Sequence, residues 1–262
     1  MKLKITIVVL IVFVSVIVLI MLAQTNPTRK AIPLTEKTWQ WQLLGPIDTS
    51  VNVDMYDIDL FDTPKSTIDK LHADGREVIC YFSAGSFEDW RPDSLKFPHS
   101  TKGKQIDDFK DEQWLDIRQI ALLSPIISER LDLAVTKGCD GVEPDNVDGY
   151  QNDSGFPLTY QDQIDYNIWL AQEAHKRDLS IGLKNDLDQI EDLVDYFDWA
   201  LNEQCVQYNE CNLLLPFIKA EKAVFGVEYE GSPDTFCPIV NKLGFHWIKK
   251  NMDLDAHLIS CE

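Results

Sequence analysis

Between residues 39 and 248 short apolar runs alternate with longer segments whose apolar residues recur at helical spacing. The runs cover 39–44, 53–58, 77–82, the approach to Glu143 from Cys139 through Val142, 179–183, 199–202, 224–228 and 245–248. Strand and helix signals in alternation predict βα units around a parallel sheet. Thr63-Pro64 opens the first helix, with proline in its first turn, and Asp74-Gly75 closes it. Further helices are predicted from Ser124-Pro125 to Lys137, over 161–176 (Ile164, Ile168, Ala171 and His175 on one face), and over 187–197, 211–220 and 233–243. The segment 87–110, with Trp90, Arg91-Pro92-Asp93 and Phe97-Pro98, reads as a long irregular loop of the kind that carries function. Residues 114–117 form a brief apolar patch ahead of Arg118.

Eight strands with intervening helices predict a single (β/α)8 TIM barrel over 39–262. An open doubly wound sheet is the second choice, and neither GxGxxG nor a P-loop is present to favour it. Ahead of the barrel, an apolar run from Ile5 to Ala23 follows Lys2 and Lys4. Its length suits a signal-anchor, and a cleaved signal peptide is the alternative. Residues 1–23 are therefore read as the anchor or signal and 24–38, with Pro27 and Pro33, as a linker. Either reading exports the barrel and confines membrane contact to the N-terminal helix.

Composition sharpens this picture. An apolar fraction of 45% supports a substantial core, and the net charge is −19. Such acidity argues against nucleic acid and favours a cationic ligand, although surplus acid also keeps a surface soluble. Six cysteines fit an exported, disulfide-permissive setting. Cys205–Cys211 and Cys237–Cys261 are the expected pairs, while Cys80 and Cys139, inside apolar strands, are expected to be buried free thiols. No CxxC or HxxxH spacing supports zinc, and neither metal nor cofactor is expected.

The chemistry concentrates where strands end. In Gly138–Tyr150 an apolar approach runs into Glu143, Pro144, Asp145, Asn146 and Asp148. Later strands end at Lys184-Asn185-Asp186, Asn202-Glu203-Gln204 and Glu228-Tyr229-Glu230. In a barrel these ends converge on one mouth, so Asp145 and Glu203 are expected to face each other. Two opposed carboxylates are what glycosidic cleavage needs: one protonated to release the leaving oxygen, one ionised to attack or to activate water. Glu143 shares a side with Asp145 by alternation. Lys184 and Arg118 read as ion-pair partners, and His175 as a favourable charge at a helix end. Tyr81, Trp90, Tyr150, Tyr208 and Tyr229 are candidate sugar-stacking rings.

WQWQLLG, VDMYDIDLFDT, REVICYFSAGSFEDWRPD, GCDGVEPDNVDGY, IGLKND, LNEQCVQYNEC and VFGVEYEG, in that order, resemble glycoside hydrolase family 114. The resemblance spans essentially everything after the leader. It implies a (β/α)8 endo-α-1,4-polygalactosaminidase-like enzyme acting on galactosamine-rich polysaccharide, with Asp145 and Glu203 as the catalytic pair. It further implies a sugar cleft lined by the blocks around Asp57, Ser83, Lys184 and Glu228. With Tyr81, Glu143, Asp148, Asn202 and Tyr229, these make up the expected substrate-binding set. Asp145 is assigned as nucleophile and Glu203 as general acid/base in a retaining scheme. The rival readings are a non-catalytic carbohydrate-binding barrel at the cell surface and a divalent-metal hydrolase built on Asp145, Asp148 and Asp186.

Overall fold

The computed structural model describes residues 37–107 and 109–261; the expected anchor and most of the linker lie outside them. Eight parallel strands run in chain order around a curled sheet: β1 (Trp39–Gln42), β2 (Met55–Asp59), β3 (Glu77–Ser83), β7 (Gly141–Asp145), β8 (Ser180–Lys184), β9 (Trp199–Glu203), β10 (Val224–Glu228) and β11 (His246–Lys249). Helices follow the strands, including Lys65–Ala73, Ile120–Lys137, Tyr160–His175 and Pro233–Leu243. The fold is the (β/α)8 barrel that the alternation predicts. At the seam between β1 and β11, Trp39 Nε1 donates to the His246 carbonyl at 3.1 Å and Lys250 Nζ to Gln40 Oε1 at 2.8 Å. A two-residue strand, β12 (Ile259–Ser260), pairs antiparallel with β11.

Strand alternation divides the side chains into two layers. Trp39, Trp41, Met55, Ile79, Trp199, Leu201, Phe225 and Val227 form one buried cluster, which fills the barrel as its inward layer. Their neighbours along each strand, such as Tyr56, Val78, Phe82, Val142 and Ile181, pack with the helices in the other layer. Gly182 is needed here, because a Cβ on it would lie 2.4 Å from the Trp199 ring. Above the aromatic floor, the inward positions turn polar: Asp57, Glu143, Lys184 and Glu203.

Two expectations are corrected. The 87–110 segment is not an irregular loop. Its ends form β4 (Ser86–Glu88), β5 (Lys102–Ile106) and β6 (Phe109–Leu115), an antiparallel sheet in the order β4-β6-β5 with two 3-10 turns between β4 and β5. Most residues of β5 and β6 are polar and partly or fully exposed, so no alternation betrays them. Buried ion pairs tie the excursion down instead. Arg91 bonds Asp59 at 2.7 Å and Glu88 at 2.8 Å, and Arg130, from the helix Ile120–Lys137, bonds Asp93 at 2.8 Å.

Cys80 and Cys139 are a disulfide, with Cα atoms 6.0 Å apart, not free thiols. Cys80 lies in register with Val142 on the helix-facing side of β3, which is where the chain enters β7 through Cys139. Cys205–Cys211 and Cys237–Cys261 are paired as expected.

Candidate active site

Asp145, Lys184 and Glu203 are the last residues of three neighbouring strands, β7, β8 and β9. Each is followed by a residue with left-handed backbone: Asn146 (φ 60°), Asn185 (φ 50°) and Gln204 (φ 64°). Such turns cost free energy outside glycine and cluster at functional sites. Here they turn the chain away at once and leave the terminal side chains facing the mouth. The Asn146 turn is closed from above by Gly85, where a Cβ would fall 1.6 Å from the Asn146 carbonyl oxygen. The Ala84 and Gly85 amides donate to the Asp145 carbonyl at 2.9 and 3.1 Å.

A cleft of about 840 Å³ opens over these strand ends. Asp145 and Glu203 both line it, with Tyr81, Asp148, Lys184, Asn202 and Tyr229. Lys184 joins the two carboxylates: its Nζ lies 3.2 Å from Asp145 Oδ1 and 3.5 Å from Glu203 Oε2. Those two oxygens are thereby held within about 7 Å of each other, on the scale at which glycosidases place their carboxyl pairs. Tyr81 donates to Asp145 Oδ2 at 3.0 Å. Asn185 donates to Glu203 Oε2 at 3.1 Å and accepts from the Glu203 amide at 3.0 Å, and Tyr229 donates to Glu203 Oε1. Burial, followed by the Glu203 charge, holds the Tyr229 phenol well above its usual range, so it remains a donor.

Four expected substrate contacts do not line the cleft. Asp57 and Glu143 are wholly enclosed beneath it. Glu143 accepts from Lys184 at 2.8 Å, so Lys184 is the ion-pair partner that its neighbours predicted. Burial pushes both carboxyls up, Glu143 to about 7. Burial alone would lower the Lys184 ammonium, but Asp145, Glu143 and Glu203 outweigh it and hold the group well above the usual lysine range. Ser83 is enclosed beside Ser86, its hydroxyl accepting at 3.0 Å from Nδ2 of Asn146, which lines the cleft. Glu228 accepts from the Val206 amide at 2.9 Å, at the start of the short helix Cys205–Tyr208. Alternation turns it away from the mouth and brings Tyr229 in.

One wall of the cleft is acidic. Asp148, Asp186, Asp188 and Glu210 line it. Burial and then Asp145 raise Asp148 to about 6, and burial and then Asp148 raise Asp186 to about 9. Phe109, Trp114, Tyr208, Leu213 and Met252 supply apolar surface around the opening. Of the stacking candidates, Tyr81, Tyr208 and Tyr229 line the cleft, whereas Tyr150 packs edge-on against Tyr160 and Trp90 stands outside it. Arg118 pairs with Asp116 at 2.7 Å and His175 with Asp198 at 2.9 Å, both away from the cleft. Asn185, Trp114 and Phe109 were missed as site residues: Asn185 sits in a block that drew attention only to its neighbours, and the other two arrive on the excursion sheet. Among the described residues no group of three His, Cys, Asp or Glu side chains is arranged to hold a metal.

The profile of Glycoside-hydrolase family GH114 matches residues 21–262. Among curated proteins none matches the chain. Among solved structures, Aspergillus fumigatus Ega3, in complex with galactosamine, is 43% identical with a TM-score of 0.84, over 91% of this chain and 99% of that one. The glycoside hydrolase domain of PelA from Pseudomonas aeruginosa shares the fold at 12% identity and a TM-score of 0.66, over 85% of this chain and 97% of that one. A family match over nearly the whole chain, a close structural neighbour and two carboxylates joined across one cleft agree: the chain belongs to glycoside hydrolase family GH114.

Proposed function

We propose that this extracytoplasmic glycoside hydrolase cleaves α-1,4-linked galactosamine-containing polysaccharide, with Asp145 as nucleophile and Glu203 as general acid/base. The observation that carries the reading is the approach of one ammonium, Lys184, to both carboxylates, at 3.2 and 3.5 Å. In the first step an Asp145 oxygen bonds to the anomeric carbon as the glycosidic bond breaks, and the Glu203 proton passes to the departing oxygen. In the second, Glu203 takes a proton from water, whose oxygen displaces Asp145 and restores the carboxylate with net retention. The galactosamine bound to Ega3, 43% identical, supports an amino-sugar substrate. The acidic wall supports a cationic one, since each ammonium–carboxylate contact in partly wet surroundings is worth on the order of 1 kcal/mol. Residues 1–23 and the 24–38 linker would tether the barrel at the membrane; retention of the protein in the pellet after alkaline extraction tests that arrangement.

The test incubates the full chain with partly deacetylated galactosaminogalactan and with α-linked glucans, sizes the products and follows the first-formed anomer by proton NMR. Internal cleavage of the amino polymer with α-product first is expected, and D145N should bind without turnover. β-product first would remove Asp145 as nucleophile, and equal turnover of fully acetylated polymer at low salt would remove the charge argument.

A further inference from the structure

Asp57 on β2 and Glu143 on β7 both lie under the catalytic floor, fully enclosed, and after burial the Glu143 charge is the largest influence on Asp57. Neither oxygen of Asp57, nor Oε2 of Glu143, meets an N–H or O–H donor among the described residues. Two dry carboxylates cannot both ionise in contact, and an unpartnered one is costly. A single shared proton satisfies both. The remaining charge lies on the Glu143 side, where Oε1 accepts from Lys184 at 2.8 Å. Lys184 is itself 2% exposed and is the one cation among the residues lining the cleft.

We propose that Asp57, Glu143 and Lys184 form a buried positioning unit for the glycosidase reaction: Asp57 and Glu143 share one proton, and the resulting monoanion fixes Lys184 as an ammonium that serves Asp145 and Glu203 in turn. The unit rests on the assignment of Asp145 and Glu203 as nucleophile and acid/base. Before attack the charged carboxylate is Asp145. When its oxygen bonds to the anomeric carbon, that charge disappears; Glu203 gives its proton to the leaving oxygen and becomes the charged partner. Lys184 lies 3.2 Å from one and 3.5 Å from the other, so the negative charge crosses from one side of a fixed cation to the other. Deglycosylation returns it. The other groups facing this centre add no positive charge: Tyr81 lies on Asp145; Tyr229 and Asn185 lie on Glu203; Asp148 lines the same cleft; and the Trp41 ring covers the ammonium at 4.5 Å. Asp57 and Glu143 are thus positioning residues that act through Lys184, without reaching the sugar.

The experiment compares pH profiles of kcat and kcat/KM for the full chain and its variants on partly deacetylated galactosaminogalactan, alongside infrared spectra of the ligand-free protein. K184M removes the shared cation: kcat should fall at least 100-fold with KM within a few fold, and both limbs of the profile should move to higher pH by about one unit. E143Q removes the anion that offsets Lys184, so both limbs should move the opposite way. D57N, which keeps a donor where the proton sits, should retain more of kcat than D57L. At neutral pH the wild type should show one protonated-carboxyl band, beyond those of Asp186 and the acid Glu203, that the wild-type-minus-D57N difference spectrum isolates. Shifts of the same sign in K184M and E143Q, or absence of the band, would overturn the unit; if K184M does not fold, the direction of the E143Q shift and the band decide it. A wild type inert on the polymer but showing the band would count against the proposed function and leave the shared proton standing.

Discussion

Tyr81 donates its hydroxyl to Oδ2 of Asp145 at 3.0 Å while Lys184 stands 3.2 Å from Oδ1, so each oxygen of this carboxylate has its own partner. Burial, then the Asp145 charge, holds the Tyr81 phenol far above its usual range, and it stays a donor across the working pH. A fixed donor keeps the attacking oxygen aimed, and its loss acts on the chemical step more than on binding. Y81F should lower kcat about 10–100-fold with KM changed only a few fold. Steady-state kinetics on a defined oligosaccharide measures both; an unchanged kcat would mean that Lys184 alone orients Asp145.

A cationic sugar arriving at the acidic wall should displace protons from it. At pH 6 a carboxyl raised to about 6, Asp148, is half protonated, and one raised to about 9, Asp186, is protonated almost completely. A nearby ammonium favours the ionised forms. Galactosamine oligomers should therefore bind at pH 6 with net proton release, read by calorimetry in two buffers of different ionisation enthalpy. Their N-acetylated counterparts should release fewer protons, and D148N should reduce the difference. Equal release by the two sugars would show that the wall does not meet the amine.

The Cys80–Cys139 bridge closes 59 residues, including the whole excursion sheet and the helix Ile120–Lys137. In the chain-entropy treatment a loop of that size adds about 4 kcal/mol of stability, against about 2 kcal/mol for the six-residue Cys205–Cys211 loop. The double variant C80S/C139S should accordingly lose more unfolding free energy than C205S/C211S, with an m-value that rises as the unfolded chain is released. The reverse order would mean that contacts within the excursion already restrain the unfolded chain.

How far the sequence reveals this molecule depends on which signals are local. The eight barrel strands are apolar runs set off by turns and helices, so Trp39–Gln42 through His246–Lys249 were readable with small errors at their ends. The convergence of Asp145 and Glu203 followed from topology once those strands were counted. What could not be read was relational. Lys102–Ile106 and Phe109–Leu115 are a hairpin of mostly polar residues, in an excursion tied down by Arg91 and Arg130, whose carboxylate partners lie as far as 42 residues away in the chain. Cys80 looked like any buried cysteine until Cys139 lay beside it. Asp57 and Glu228 stood in the right blocks, but depth along one strand and parity along the other set both away from the cleft surface.

Asp186 gives the last expectation, because it is buried where an ionised carboxylate has little to hold it. It is 2% exposed; Oδ2 accepts from Asn167 Nδ2 at 2.9 Å, and Oδ1 has no partner among the described residues. Burial and the Asp148 charge raise it to about 9, whereas in an unfolded chain it titrates near 3.9. Between those values the folded protein keeps a proton that the unfolded chain has shed. Stability must then fall as pH rises through the window, with the loss complete only above the folded value. D186N makes the neutral form permanent: its amide can still accept from Asn167, and asparagine tolerates the left-handed backbone (φ 45°) at this position. The variant should melt several degrees above the wild type at pH 8, on the order of 2–4 °C per kcal/mol gained in a domain of this size. The gap should close toward pH 4. Melting curves from pH 4 to 9 decide the matter, and parallel pH dependences in the two proteins would place the proton elsewhere.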